Sequence, residues 1–207
     1  IHLTHDAQRL YWPVEGSWET AIRVMQHVHY DPSVPLGPYL HQETAILQSP
    51  LTEPKISSVT VRVQQLECWE DEWMEVHGEH DDPGEDGIGE CGNAVFGPLD
   101  DYDPDSDGEG LSKFVHLLRC CGADRPRKKK ASLVVKASGE YLTIHDYVVA
   151  VHPWLLRLRD DILAASGDLL DSKPLPADTK LVVWYGLAEV DVLEDKEWRT
   201  MKAKWPL

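Results

Sequence analysis

The sequence predicts an α+β fold: one domain over residues 1–207, with a mixed or antiparallel sheet of about four to five strands packed with helices and interrupted by a long acidic insertion. Three observations predict it. Two-residue alternation marks a half-buried strand, with Val59, Val61 and Val63 set against Thr60, Arg62 and Gln64. Four-and-three spacing marks a helix, with Val151, Leu155, Leu158 and Ile162 in one apolar stripe. The two kinds of segment are mixed without a regular β-α-β alternation, which argues against a doubly wound parallel sheet.

Taken in order, Ser17 is a good N-cap for a helix running to about His29, with Trp18, Ile22, Met25 and His29 on one face. Three prolines between Asp31 and Pro38 end that pattern, and a short helix is expected over Gln42–Gln48. A strand follows from Ile56 to Leu66. Cys68 to Val76 suits either period, since Trp69 and Trp73 share a face in both, and a strand continuing the sheet is preferred. Leu111, Phe114, Val115 and Leu118 suggest a helix that Gly122 terminates. Leu133–Val135 and Tyr141–Thr143 flank Ser138-Gly139 like a β-hairpin. Thr143 and Asp146 form a capping box for a short helix through Val151, and Pro153 suits the first turn of another. Two prolines make Asp171–Asp178 a loop, and Lys180–Tyr185 reads as a buried strand. The last helix is expected over about Asp191–Lys204, with acids at its N-terminal end, Arg199, Lys202 and Lys204 at the other, and Glu194, Trp198, Met201 and Trp205 on one face.

An apolar share of 42 % in 207 residues suffices for a core. No run approaches the roughly 18–20 apolar residues of a membrane span, and Ile1-His2-Leu3-Thr4 lacks the features of a signal peptide. Cys68, Cys91, Cys120 and Cys121 are sparse for a disulfide scaffold, and Asn93 is not in a glycosylation motif. A protein of the cytoplasm or nucleus is expected.

The formal charge of −16 is concentrated. Seventeen carboxylates and no Lys or Arg lie between Glu67 and Gly110, while the rest of the chain is close to neutral. Eight of the 14 glycines fall between Gly78 and Gly110, so residues 78–110 are expected to form an irregular acidic insertion. Just beyond it, Arg125, Arg127, Lys128, Lys129 and Lys130 form a basic patch. It has three readings: a nuclear signal, a phosphate-binding surface, or a solvated loop.

Several motifs invite chemistry. Asp103-Pro104-Asp105-Ser106-Asp107-Gly108 opens like a calcium loop, but the twelfth position is Phe114 where a bidentate acid is needed. Gly87-Ile88-Gly89-Glu90-Cys91-Gly92 fits a dinucleotide fingerprint by pattern, inside a segment that would repel phosphate. His77, His80 and Asp81 are candidate ligands for a divalent metal, and Cys91 or the trio His116, Cys120 and Cys121 would complete a zinc site. Against that, Gly78, Pro83 and Gly84 loosen the backbone and no Cys-x-x-Cys pair is present, so no metal or other cofactor is assigned. Among the His-Asp dyads only His145-Asp146 falls on an expected helix, where Asp146 already caps. No nucleophile elbow, phosphate loop or zinc-protease helix motif occurs, and the balance leans away from an enzyme.

The leading expectation is an interaction module, chaperone-like for histones or ribosomal proteins. Asp100, Asp101, Asp103, Asp105, Asp107 and Glu109 would steer a basic partner, and Trp69 and Trp73 would anchor it. The alternatives are a metal-dependent hydrolase using His77, His80 and Asp81, and a nucleic-acid binder using residues 125–130. A net charge of −16 disfavours the latter.

Overall fold

The computed structural model describes residues 1–40, 45–81, 92–99, 102, 116–127, 131–184 and 186–204. Helices combine with mixed and antiparallel sheets, an α+β architecture. The chain divides into two compact units. The first comprises Ile1–Gln65, Lys130–Ile162 and Pro176–Leu207; the second comprises Leu66–Lys129 and Leu163–Leu175.

The first unit is built on a mixed four-stranded sheet ordered Ser132–Lys136, Ser58–Val63, Glu189–Glu194, Leu181–Trp184. The alternation that predicts the second of these strands holds: Val61 and Val63 are fully buried while Thr60 and Arg62 are exposed. Val190 and Val192 are likewise buried, and Leu181, Val182 and Val183 form the buried strand read from the sequence. Smaller sheets join His2–Leu3 to Thr52–Glu53, and Leu10–Tyr11 to Arg23–Val24 and Gly37–Pro38. The described residues thus form several sheets where one had been expected.

Local patterns failed wherever distant pairing prevailed. The helix expected from Ser17 stops at Ala21, because Ile22 is extended and Arg23–Val24 pairs on both sides as a strand. Ser17 makes no side-chain cap; its hydroxyl meets Thr20 instead. The hairpin around Ser138-Gly139 does not form, since Ser132–Lys136 pairs with Ser58–Val63 and only Thr143 bridges, to Pro50. Residues 189–194 are a strand, so the last helix runs Asp195–Lys204. It keeps acids in its first turn and lysines in its last, as its dipole favours. Trp198 is fully buried on it, whereas Met201 is exposed. The short helix is Ala45–Gln48; 42–44, Tyr185 and Trp205 lie outside the described residues.

The capping box is present: Asp146 N–H donates to Thr143 Oγ1 at 3.0 Å and Thr143 N–H to Asp146 Oδ2 at 3.1 Å. The two helices expected after it are one, Ile144–Ala165, with Pro153 inside. Val151, Leu155 and Ile162 hold it to the core strongly enough to outweigh the backbone hydrogen bond that proline removes. No described helix is long and apolar enough to cross a membrane.

Lys202 is an exception in this core. It is 3 % exposed, with Nζ 5.6 Å from the centre of the Trp184 ring, and burial pushes its amine down to about 8. At neutral pH the folded chain therefore carries a charge it holds less well than the unfolded chain does. Between about 8 and the ordinary 10.5 the unfolded state binds the extra proton, so this group's contribution to stability rises with pH. At ~1.4 kcal/mol per pH unit the effect is at most about 3 kcal/mol. Lys202→Met is expected to raise the melting temperature at pH 7 and to flatten the rise between pH 8 and pH 10, measured by thermal denaturation. An unchanged pH slope in the variant would remove Lys202 as its source.

The second unit has an antiparallel sheet of Val95–Gly97, His116–Cys120 and Ala123–Asp124 beside the helix Gln64–His77. Two expectations are corrected here. Cys68–Val76 is helical, because Leu66, Glu70, Trp73 and His77 are buried at spacings of four, three and four. Residues 116–120 are a strand where a helix from Leu111 had been expected; 111–115 lie outside the described residues. Within the stretch expected to be irregular, Gly78–His80 is a 3-10 turn and Val95–Gly97 a strand. Residues 82–91, 100–101, 103–110 and 128–130 are outside the described set, and with them Cys91, most of the glycine motif, the calcium-like loop and Lys128–Lys130.

Candidate metal centre

The helix Gln64–His77 turns Trp73 and His77 inward, their rings 4.3 Å apart between centres. The chain then tightens into the 3-10 turn Gly78–His80. With about three residues per turn, side chains three apart eclipse, so His80 falls on the side of His77. Opposite them, the strands His116–Cys120 and Ala123–Asp124 are joined by the two-residue loop Cys121-Gly122. Both loop residues have positive φ, 52° at Cys121 and 88° at Gly122, as a two-residue hairpin of type I′ requires. Regular strand geometry would send adjacent side chains to opposite faces. The left-handed backbone at Cys121 breaks that alternation, and the two Sγ atoms lie 3.6 Å apart.

Donor atoms of His77, His80, Cys120 and Cys121 all lie within 4.8 Å of one another. His80 Nδ1 is 3.1 Å from Cys120 Sγ and 3.7 Å from Cys121 Sγ. His77 and Cys120 are fully buried; His80 and Cys121 are half-buried. His77 Nε2 lies 3.2 Å from the Leu169 carbonyl, to which it can donate, and Nδ1 is buried with no hydrogen-bond partner. Trp73, Leu117, Cys120 and Ala123 form the apolar core around the cluster, with Phe96 and Met74 packed on it.

Two of the three metal candidates read from sequence, His77 and His80, come together; Asp81 is exposed and is not part of the cluster. Of the trio offered to complete a zinc site, Cys120 and Cys121 join them and His116 does not, its ring lying 5.3 Å from that of Tyr102. Trp73, expected to anchor a partner, is fully buried in the core and not available to one; Trp69 is half-buried.

Within the basic patch, the described Arg125 and Arg127 are both paired. Glu70, buried on the helix, takes Arg125 Nε at 2.7 Å and also pairs with Arg127 Nη1. Sequence reasoning counted Glu70 among the solvated acids. The signal it missed is the helical spacing that puts Glu70 between Leu66 and Trp73 on the buried face. No protein-family profile, no curated protein and no solved structure matches the chain.

Proposed function

We propose that the chain is a non-enzymatic interaction module of the cytoplasm or nucleus whose acidic segment, residues 67–110, engages a basic protein partner such as a histone or ribosomal protein. The observation that carries this reading is the charge distribution: 17 acids and no Lys or Arg in 44 consecutive residues. Where that segment is described, Asp71, Glu72, Glu75, Glu79 and Asp81 are exposed on the helix and the turn that follows it. Such a field attracts cationic segments and raises their on-rate. With Trp73 in the core, anchoring falls to half-buried Trp69 and to the carboxylates themselves. Arg125 and Arg127, held on Glu70, give little support to a nucleic-acid surface. The hydrolase reading gains His77 beside His80. It loses its carboxylate, since Asp81 stands apart, and a four-donor cluster leaves no open position for substrate.

Calorimetric titration with a synthetic Lys- and Arg-rich peptide tests the proposal. Exchanging Asp100, Asp101, Asp103, Asp105, Asp107 and Glu109 for their amides should weaken binding by about tenfold or more and reduce its salt dependence. Equal binding by the neutralised and natural chains would refute the role of the acidic segment.

A further inference from the structure

We propose that His77, His80, Cys120 and Cys121 bind one zinc ion in a closed, tetrahedral, structural site. The inference is independent of whether the acidic segment binds a basic partner.

Geometry is the first argument. Zinc–sulfur bonds of ~2.3 Å and zinc–nitrogen bonds of ~2.0 Å, set at tetrahedral angles, place sulfur about 3.8 Å from sulfur and about 3.5 Å from nitrogen. The observed separations are 3.6 Å between the sulfurs, and 3.1 and 3.7 Å from His80 Nδ1 to each of them. Three of the four donors already stand close to the edges of such a tetrahedron, and a donor atom of His77 lies within 4.8 Å of each.

The second argument is His77. Its Nε2 is positioned to donate to the Leu169 carbonyl, which leaves Nδ1 as the lone-pair nitrogen, and that atom is buried with no hydrogen-bond partner. A backbone carbonyl that orients the far nitrogen of an imidazole is the usual outer partner of a metal-ligating histidine. An unsatisfied buried acceptor is otherwise a cost to the fold, and a bound cation removes that cost.

The third argument is charge. On binding Zn²⁺ the two thiols release their protons to solvent, and two thiolates with two neutral imidazoles leave the centre uncharged. A neutral centre suits a pocket walled by Trp73, Leu117 and Ala123. Mixed sulfur and imidazole donors select zinc over magnesium or calcium, which take oxygen. With four protein ligands the ion has no vacant position, so its work is to hold the end of the helix Gln64–His77 against the hairpin turn at Cys121-Gly122.

The test uses the full chain, purified with its thiols reduced and equilibrated with a small excess of zinc. Native mass spectrometry should show one zinc per chain. Cobalt should replace it, giving the visible absorption of a tetrahedral, thiolate-bound ion. Cys121→Ser and His80→Ala, both at half-buried positions, should each lower zinc affinity by more than about 100-fold in competition with a chelator. Should a variant not fold, X-ray absorption of the natural chain decides instead: two sulfurs at ~2.3 Å and two nitrogens at ~2.0 Å are expected around zinc. A chain that stays metal-free under these conditions would overturn the proposal. So would a metal shell without sulfur, unchanged affinity in folded Cys121→Ser, or a Cys120–Cys121 disulfide that persists under reducing conditions.

Discussion

Glu70→Ala should cost the fold about 3–5 kcal/mol, the penalty for removing one partner of a buried ion pair and leaving the other uncompensated. The Glu70 side chain is 4 % exposed and that of Arg125 7 %, with 2.7 Å between Oε1 and Nε. Arg127 shares the same oxygen from a more open position, 27 % exposed. Without the carboxylate, Arg125 keeps its charge in a site where its Nη1 already has no hydrogen-bond partner. Arg127 can turn to water; Arg125 cannot without moving the backbone, which is tied by its N–H to the Leu118 carbonyl at 2.8 Å. Glu70→Gln keeps the shape and one acceptor, so its cost should be smaller, about 1.5–3 kcal/mol. Pairing Glu70→Met with Arg125→Met should recover most of the loss, because the stranded charge is then gone. Denaturant unfolding of the three variants measures this. A loss below about 1 kcal/mol in Glu70→Ala would mean that the pair is solvated and carries little of the second unit's stability.

The same residues show where sequence reasoning was sound and where it had no purchase. Glu70 lies in a run of acids, and Arg125 and Arg127 lie in a run of bases; read locally, each run is a solvated surface. Only the fold reveals that one acid and two bases were set aside for each other across more than fifty positions. The metal cluster was half legible. His77 and His80 announce themselves as one turn apart, and Cys120 and Cys121 had been offered as partners, but their convergence depends on a 3-10 turn and a left-handed cysteine that no periodicity reports. Adjacent cysteines on a strand would diverge, so the Cys-Cys-Gly sequence points to one site only once the hairpin turn is known.

Elements decided by their own local pattern were read correctly. Ser58–Val63 alternates strictly, Leu181–Trp184 is continuously apolar, and the Thr143–Asp146 box fixes a helix start by purely local hydrogen bonds. Elements decided by distant partners were not. Residues 191–194 read as the first turn of the last helix, yet Val190 and Val192 are buried in a strand between Ser58–Val63 and Leu181–Trp184. Residues 64–77 hid their period because two of the four inward positions are Glu70 and His77, which a hydrophobic pattern does not count.

His152 is another buried polar residue, and His152→Ala should destabilise the first unit by about 3–5 kcal/mol. The imidazole is 2 % exposed and bonded at both ends: Nδ1 accepts from Trp12 Nε1–H at 2.9 Å, and Nε2 donates to the Gly16 carbonyl at 2.9 Å. It also lies nearly parallel to the Trp12 indole, at 13° between planes. Alanine leaves a cavity beside Trp12, which is itself 1 % exposed and packed edge-on against Tyr147. It also takes the acceptor from the buried indole N–H, at a cost of about 1–3 kcal/mol. Gly16 turns the chain with φ of 88°, a conformation that only glycine adopts freely, and His152 is what fastens that turn to the helix Ile144–Ala165. Trp12→Phe removes the N–H while keeping most of the ring, so it isolates one bond of the network. In a double-mutant cycle, Trp12→Phe should cost about 1 kcal/mol less when His152 is already alanine than when it is present. Additive losses would mean that the two rings are held by packing alone, and the penalty of His152→Ala would then be that of the cavity without the stranded donor.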